Sequence, residues 1–146
     1  MEQHLCNYIV ILDNDSAAKT KVNESIDKLN IEKEKFRYFF IPNYRECELE
    51  DMYTLNYYKD YMLNTYQINI LDNHFKNKSQ KWSKRITELA RQTGQEFSED
   101  QINEIKKELS EMSKTKPLID VFTPESITLI KNILNSIEKD ISKMFT

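Results

Sequence analysis

Residues 8–28 read YIVILDNDSAAKTKVNESIDK, and this stretch decides the fold. Tyr8 to Leu12 is a continuous apolar run, rich in β-branched residues, that leads straight into Asp13-Asn14-Asp15. Such a run predicts a buried strand. From Ser16 the pattern turns helical. Ala18, Val22, Ile26 and Leu29 recur at helical spacing, which predicts an amphipathic helix ending near Leu29. Asp15 stands where an N-cap belongs, because its carboxylate can accept the free N–H groups of the first turn. Two carboxylates therefore sit at the carboxyl end of a strand, at the edge where α/β sheets place ligands. Asp13 and Asp15 are either loop and cap residues or oxygen ligands converging on one hard cation, Mg²⁺ or Mn²⁺, with waters and phosphate oxygens completing the shell.

Downstream, Asn30 to Lys35 is a charged connector and Phe36-Arg37-Tyr38-Phe39-Phe40-Ile41 predicts a second strand. Pro42 ends it, since proline cannot donate to a ladder. Strand, helix and strand in this order form one βαβ unit, whose crossover is right-handed and whose strands are parallel. Two parallel strands alone make a poor sheet, because parallel sheets are buried on both faces and take more neighbours. No third strand is predicted. Either helices cover the pair, or further strands come from elsewhere.

Four acids, Glu46, Glu48, Glu50 and Asp51, follow within six positions. In a parallel pair they leave the same sheet edge as Asp13 and Asp15. A helix from about Glu46 would put Glu46 and Glu50 on one face and Glu48 and Asp51 on another. The cluster is either a helix N-terminus suited to the macrodipole or a second set of metal ligands.

The remainder predicts helices. Tyr53, Leu55, Tyr57, Tyr58, Tyr61, Met62, Leu63 and Tyr66 fall at spacings of packed core, or of aromatic platforms for bases. Phe75 to Thr93 predicts one long helix with Trp82, Ile86, Leu89 and Ala90 on one face. Its other face carries Lys76, Lys78, Lys81, Lys84, Arg85 and Arg91, either a solvated face or a track for a phosphate backbone. Gly94, the only glycine, falls where that helix would end. Ser98-Glu99-Asp100-Gln101 is a capping box, and Ile102, Ile105 and Leu109 follow it. Leu118 to Phe122 is an apolar linker or docking segment. Thr123-Pro124 opens a last helix, expected to reach about Phe145.

Composition limits the functions on offer. The chain has 146 residues and a net charge of −3, so nucleic acid would have to be met by a local patch or a bound cation. It has no glycine-rich phosphate loop. Cys6 and Cys47 lie in no zinc or redox spacing and are expected as free thiols of a reducing compartment. His4, near the terminus, is expected exposed rather than ligating. No apolar run approaches the roughly 20 residues of a membrane span, and residues 1–8 show no signal-peptide pattern. A cytoplasmic location is expected.

YIVILDND with its helix, then FRYFFIP followed by RECELEDMY, resembles the second half of a TOPRIM domain, as found in OLD-type (overcoming-lysogenisation) nucleases and related phage-defence proteins. The resemblance covers about residues 8–53. It implies that Asp13 and Asp15 are the metal-binding DxD, and that Glu46, Glu48, Glu50 and Asp51 lie where later acids belong, Glu48 and Glu50 above all. Mg²⁺-dependent endonucleolytic or other phosphodiester cleavage is the activity implied. The family pattern also has an earlier strand ending in Glu. Only seven residues precede Tyr8, so that strand is expected from a longer protein, from one half of a split system, or to be lost in a degraded relative.

The expected architecture is thus α/β: a small parallel βαβ unit in residues 1–53, an incomplete TOPRIM-like sheet, with a mainly helical region in 54–146 packed on it. Two functions follow. In the first, Asp13, Asp15, Glu48 and Glu50 are catalytic, Asp13, Asp15, Glu46, Glu48 and Glu50 hold metal, and Lys78, Lys81, Lys84 and Arg85 hold nucleic acid. A missing upstream part or partner chain completes the site. In the second, the chain is a non-catalytic interaction module that completes its sheet with a second copy or another protein. A phosphate-receiver domain would need more strands and a lysine at a fixed downstream position.

Overall fold

The computed structural model describes residues 8–144, so His4, Cys6 and Phe145 lie outside the described residues. The architecture is α/β, with one small parallel βαβ unit and a mainly helical remainder. Strand β1 (Val10–Leu12) pairs in parallel with β2 (Phe36–Tyr38), in the register Val10↔Phe36, Ile11↔Arg37 and Leu12↔Tyr38. Both strands are shorter than their apolar runs. Beyond Tyr38 one further backbone bond, from Phe39 N–H to the Leu12 carbonyl at 3.2 Å, extends the pairing. The chain then turns at Asn43, whose φ of 70° is left-handed, and Asn is among the residues that tolerate that region.

Helix α1 (Ser16–Leu29) joins the strands. Its Val22 is buried and Ala18 and Ile26 are half-buried, but Leu29, the last residue of the expected stripe, is exposed. Asn30 ends the helix at φ 52°, its N–H donating to the Ile26 carbonyl.

The turn at residues 41–44 sends the chain back across the end of β1. Cys47 N–H donates to the Asn14 carbonyl at 3.1 Å, and the two residues form an antiparallel bridge. This bridge fastens the acidic stretch beside Asp13 and Asp15. No α-helix starts at Glu46. A single 3₁₀ turn (Leu49–Met52) forms instead, and Glu48 and Asp51 cap it reciprocally. These two side chains satisfy backbone donors locally, and such bonding competes with a regular helix.

The helices that follow are α2 (Leu55–Tyr66), α3 (Trp82–Gln92), α4 (Glu99–Ser113), α5 (Leu118–Val121) and α6 (Pro124–Met144). The expected single helix over 75–93 is two elements. A 3₁₀ turn (Asn73–Lys76) is separated from α3 by residues 77–81. In that gap the Asn77 side chain accepts from the Ser79 N–H and hydroxyl at 3.1 and 2.6 Å, a local turn that displaces helical bonding. Gly94, at φ 77°, follows α3, with its N–H on the Arg91 carbonyl and that of Gln95 on Ala90. This pattern is a Schellman motif. The capping box at Ser98–Gln101 and the Thr123 cap of α6 form as expected.

The main core lies among the helices. Tyr58, Met62, Ile68, Ile70, Phe75, Trp82, Ile86, Ile105, Leu109 and Val121 are its most buried members. Most of the tyrosine-rich segment is therefore core. Tyr57 donates its hydroxyl to the Leu109 carbonyl at 2.5 Å, and the Trp82 indole donates to the Tyr58 hydroxyl at 3.1 Å. Burial raises the Tyr53 phenol to about 12, with the Glu50 carboxylate adding to it. A second cluster, Phe39, Cys47 and Met52, packs against Leu129, Ile130 and Ile133 of α6, and Phe122 touches both clusters. Cys47 is a free, buried thiol. The segment at 118–122 docks: Thr54 N–H donates to the Val121 carbonyl at 2.8 Å, and Thr123 N–H to that of Met52 at 3.2 Å. Among the described residues no helix is long and apolar enough to cross a membrane.

Candidate functional site

The end of β1, the 3₁₀ turn at Leu49–Met52, the start of α3 and the middle of α4 meet at one cluster of charges. Each carboxylate in it is best understood by what it already holds. Asp15 is buried. Its Oδ1 accepts the Ala18 N–H at 2.7 Å, capping α1, and its Oδ2 lies 3.4 Å from Lys81 Nζ. Glu46 Oε1 accepts the Ser16 N–H at 3.3 Å and so adds to the same helix start. Glu48 is buried and accepts from Ser83 twice, from the N–H at 2.6 Å and the hydroxyl at 3.1 Å. It therefore caps α3 from a distant part of the chain. The Lys106 ammonium is 3.0 Å from its Oε1, and that of Lys81 is 3.8 Å away. Asp51 pairs with the buried guanidinium of Arg85 and accepts the Glu48 N–H at 2.9 Å.

Asp13 and Glu50 cap no α-helix, although the Asp13 carboxylate faces the Leu49 N–H at the head of the 3₁₀ turn. Glu50 is buried, and its Oε2 lies 3.3 Å from Lys106 Nζ. This ion pair is the contact that satisfies the oxygen, which receives no other side-chain or backbone donor among the described residues. Burial raises the Glu50 carboxyl above its ordinary value. Lys106 opposes that rise, and Glu48 and Asp13 add to it. Asp13 is half-buried and shifted the same way by burial; Lys106 is the next largest influence and opposes the rise, Glu48 and Asp15 add to it, and the Leu49 N–H opposes it as well. Burial alone would lower Lys106, but Glu50 and Glu48 outweigh it and hold the ammonium above its ordinary value. The group holds four carboxylates (Asp13, Asp15, Glu48, Glu50) against two ammonium groups (Lys81, Lys106), a formal charge of −2 when all are ionised.

The all-oxygen character of Asp13 and Glu50 suits a hard cation, which would replace the Lys106 ammonium at the Glu50 oxygen. The fit is that of two ligands. Among the described residues no three Asp, Glu, His or Cys side chains are placed to hold one metal ion together.

The basic residues are distributed differently from the expected stripe. Arg85 is not on a wet face. It is buried between Asp51 and Phe75, with a guanidinium N–H on the Phe75 carbonyl at 2.7 Å. Arg85 stands three residues after Trp82 and four before Leu89, so helical spacing puts it on the buried face of α3, toward the acidic turn. Lys76 and Lys78 are exposed and precede α3, and Lys78 lies over the Tyr44 ring at 5.2 Å. Lys81 belongs to the charge cluster. Lys84 and Arg91 are exposed on α3 and line a cavity of about 550 Å³ between α3 and α4.

Sequence reasoning missed Lys106 and Ser83. Lys106 follows Ile105 on the margin of the apolar stripe of α4, where a lysine ordinarily lays its stem along the core and its head in water. Nothing in its spacing marks it as the partner of acids 56 and 58 positions earlier. Comparison with protein-family models, with curated proteins and with solved structures finds no match.

Proposed function

We propose that the chain carries half of a divalent-metal site for phosphodiester cleavage, and that another segment or chain supplies the remaining ligands. The observation that carries this reading is the pair Asp13 and Glu50, two carboxylates beside the carboxyl edge of a parallel strand pair, one with a buried oxygen held by the Lys106 ammonium alone. The formal −2 of the cluster leaves a charge that one Mg²⁺ or Mn²⁺ balances. The βαβ order, the DxD at its edge and the acids that return to it support the resemblance to the second half of a TOPRIM domain, and with it a role in phage defence. The free thiol of Cys47 supports a cytoplasmic setting.

In this reading Asp13 and Glu50 hold the cation, which when bound polarises a phosphoryl oxygen and stabilises the leaving oxygen. Asp15 and Glu48 hold the two helix starts, and so fix the loops on which Asp13 and Glu50 stand. Lys106 keeps Glu48 and Glu50 apart in charge and lies near enough to Asp13 to favour its ionised form. Calorimetric titration with Mn²⁺ tests the assignment. Heat in the wild type that disappears in both Asp13→Asn and Glu50→Gln supports it, and absence of heat in the wild type overturns it.

A second reading, a module that docks on a partner or a second copy, is favoured by a separate observation. Ile11, Phe39, Leu49, Met52, Ile130, Ile133 and Leu134 line a groove with a wholly apolar surface. Ile11, Leu49 and Leu134 are about half exposed there, at 48%, 47% and 57%. A two-stranded sheet beside an apolar groove is a surface that association would bury. Sedimentation at increasing concentration distinguishes this reading, which requires self-association or a partner-dependent gain in stability.

A further inference from the structure

Strand β1 leaves one edge of the sheet bare. Leu12 faces β2, since its carbonyl accepts the Phe39 N–H at 3.2 Å. Alternation along the strand puts the Val10 N–H and C=O on that same side and turns those of Ile11 the other way. The sheet has two strands, so among the described residues no strand pairs with β1 on the side of Ile11. A bare edge is a template for another strand, and proteins blunt it with charges or proline. Residues 8–12, Tyr-Ile-Val-Ile-Leu, carry neither. The β2 run is guarded by contrast: it contains Arg37, held by Asp140 at 2.9 Å, and Pro42 follows it. Exposed apolar surface gathers at the bare edge. Tyr8 and Ile11 are exposed on β1 and its lead-in, and Leu49 and Leu134 stand beside Ile11 on the rim of the apolar groove.

We infer, resting on the docking reading above and naming its occupant, that a second copy of the chain covers this edge, its β1 antiparallel to the first about a two-fold axis at Val10. In this register Val10 faces Val10, Ile9 faces Ile11 and Tyr8 faces Leu12, so the apolar run meets itself with no polar residue opposed. Ile9 and Ile11 are the positions whose backbone groups point to the bare edge, and facing residues of that kind exchange both hydrogen bonds. A shift that puts Ile11 on the axis sets Asp13 against Ile9 instead. Facing side chains share a face of the sheet, so Ile9 of the second copy lies beside Ile11, over the groove between Leu49 and Leu134. The same patch serves both copies, so the assembly closes at two. It makes one four-stranded sheet, in the order β2-β1-β1-β2, of ordinary size. The two Asp13 residues end up about 20 Å apart along the pair, at roughly 3.4 Å per residue, beyond the reach of repulsion at physiological salt. Five residues a side with their flanking leucines form a small interface, so a dimer of micromolar rather than nanomolar strength is expected.

The experiment is sedimentation velocity of the full chain from micromolar to millimolar concentration, joined to cysteine crosslinking. The wild type should pass from monomer to dimer with no larger species. Ile11→Pro removes the N–H assigned to the second copy but no bond to β2, and should weaken the dimer about tenfold or more. Ile9→Lys, which leaves the backbone intact and sets a charge on the edge, should do the same. Leu63→Lys, an exposed position on α2, should change nothing. Circular dichroism checks that each variant is folded. Crosslinking reads the register in a Cys6→Ser background. Val10→Cys should give a disulfide-linked dimer under mild oxidation, because facing residues of a pair without hydrogen bonds lie about 4.5 Å apart at Cα. Leu12→Cys should not, its two copies being about 14 Å apart. A monomer at every concentration overturns the inference and leaves the docking reading to a different protein. Dimers indifferent to both Ile9→Lys and Ile11→Pro, or linked through Leu12→Cys rather than Val10→Cys, keep the docking reading and overturn this edge and register.

Discussion

The Glu48 carboxylate accepts the Ser83 backbone N–H at 2.6 Å, so a residue of the acidic turn caps a helix that begins 34 positions after it, at Trp82. One such contact turns two regions of sequence into one site. It also explains why an acid at this position need not be a ligand. Helix starts leave N–H groups without partners, and a carboxylate is their strongest acceptor. Glu48→Ala should cost about 2–3 kcal/mol, since it removes a charge-assisted bond and leaves Lys106 half-paired. Glu48→Gln keeps an acceptor for Ser83 and should cost less. Urea unfolding of the two variants checks the order, and equal costs would count against the capping role.

Arg85 offers a second prediction. Its guanidinium is buried against Asp51, and removing one partner of a buried pair leaves an uncompensated charge. Arg85→Ala should destabilise the fold by roughly 3–5 kcal/mol. An exposed phosphate contact would give almost no change in stability. Arg85→Ala together with Asp51→Ala should cost less than the sum of the single changes, which a double-mutant cycle measures.

Asp15 separates cap from ligand. Asp15→Asn retains a capping oxygen for the Ala18 N–H, whereas Asp15→Ala removes it at a cost of about 1 kcal/mol. If the cap is the main task, Asn should be close to wild type in thermal unfolding and Ala clearly below it. Cation binding should survive Asp15→Asn and fail in Asp13→Asn.

The pH dependence has a definite sign. Folding raises the Asp13 and Glu50 carboxyls above their ordinary values of 3.8 and 4.5, chiefly by burial. The folded state thus holds their protons more tightly than the unfolded chain. Stability is lost as pH rises from the unfolded values through the raised folded ones, and the penalty is complete above them. Asp13→Asn and Glu50→Gln should therefore be at least as stable as wild type at pH 7, with the difference vanishing below their ordinary values. Lys106 has the opposite balance. Its raised value contributes stability that is complete below 10.5 and lost as pH rises through the folded value. Urea midpoints of wild type and variants across pH 3–7 would expose the first trend, and a variant less stable than wild type at pH 7 would contradict it.

Local signals carried the fold well where chemistry is local. The apolar run before Asp13, the cap at Asp15, the box at Ser98–Gln101, Gly94 and Thr123-Pro124 all act within a few residues, and each placed a boundary close to where it lies. The 3₁₀ turn after Glu48 and the break at 77–81 escaped the helical pattern, because polar side chains there bond their own backbone. The site was legible by half. Asp13, Asp15, Glu48 and Glu50 do meet, since the parallel pair sends both loops to one edge. The partition of these acids between helix caps and other tasks, and the part of Lys106, depend on packing between α3, α4 and that edge, which no short spacing encodes, whereas Arg85 shares helical spacing with Trp82 and Leu89 and its inward position was legible.

The central claim is that Asp13 and Glu50 form a cation site distinct from the capping acids. Paramagnetic broadening of amide NMR signals by substoichiometric Mn²⁺ tests it most directly, because it locates even weak binding. Selective broadening around residues 13–14 and 49–51, retained in Asp15→Asn and lost in both Asp13→Asn and Glu50→Gln, is the predicted result. Broadening that is diffuse, absent, or unaffected by those two substitutions would contradict it.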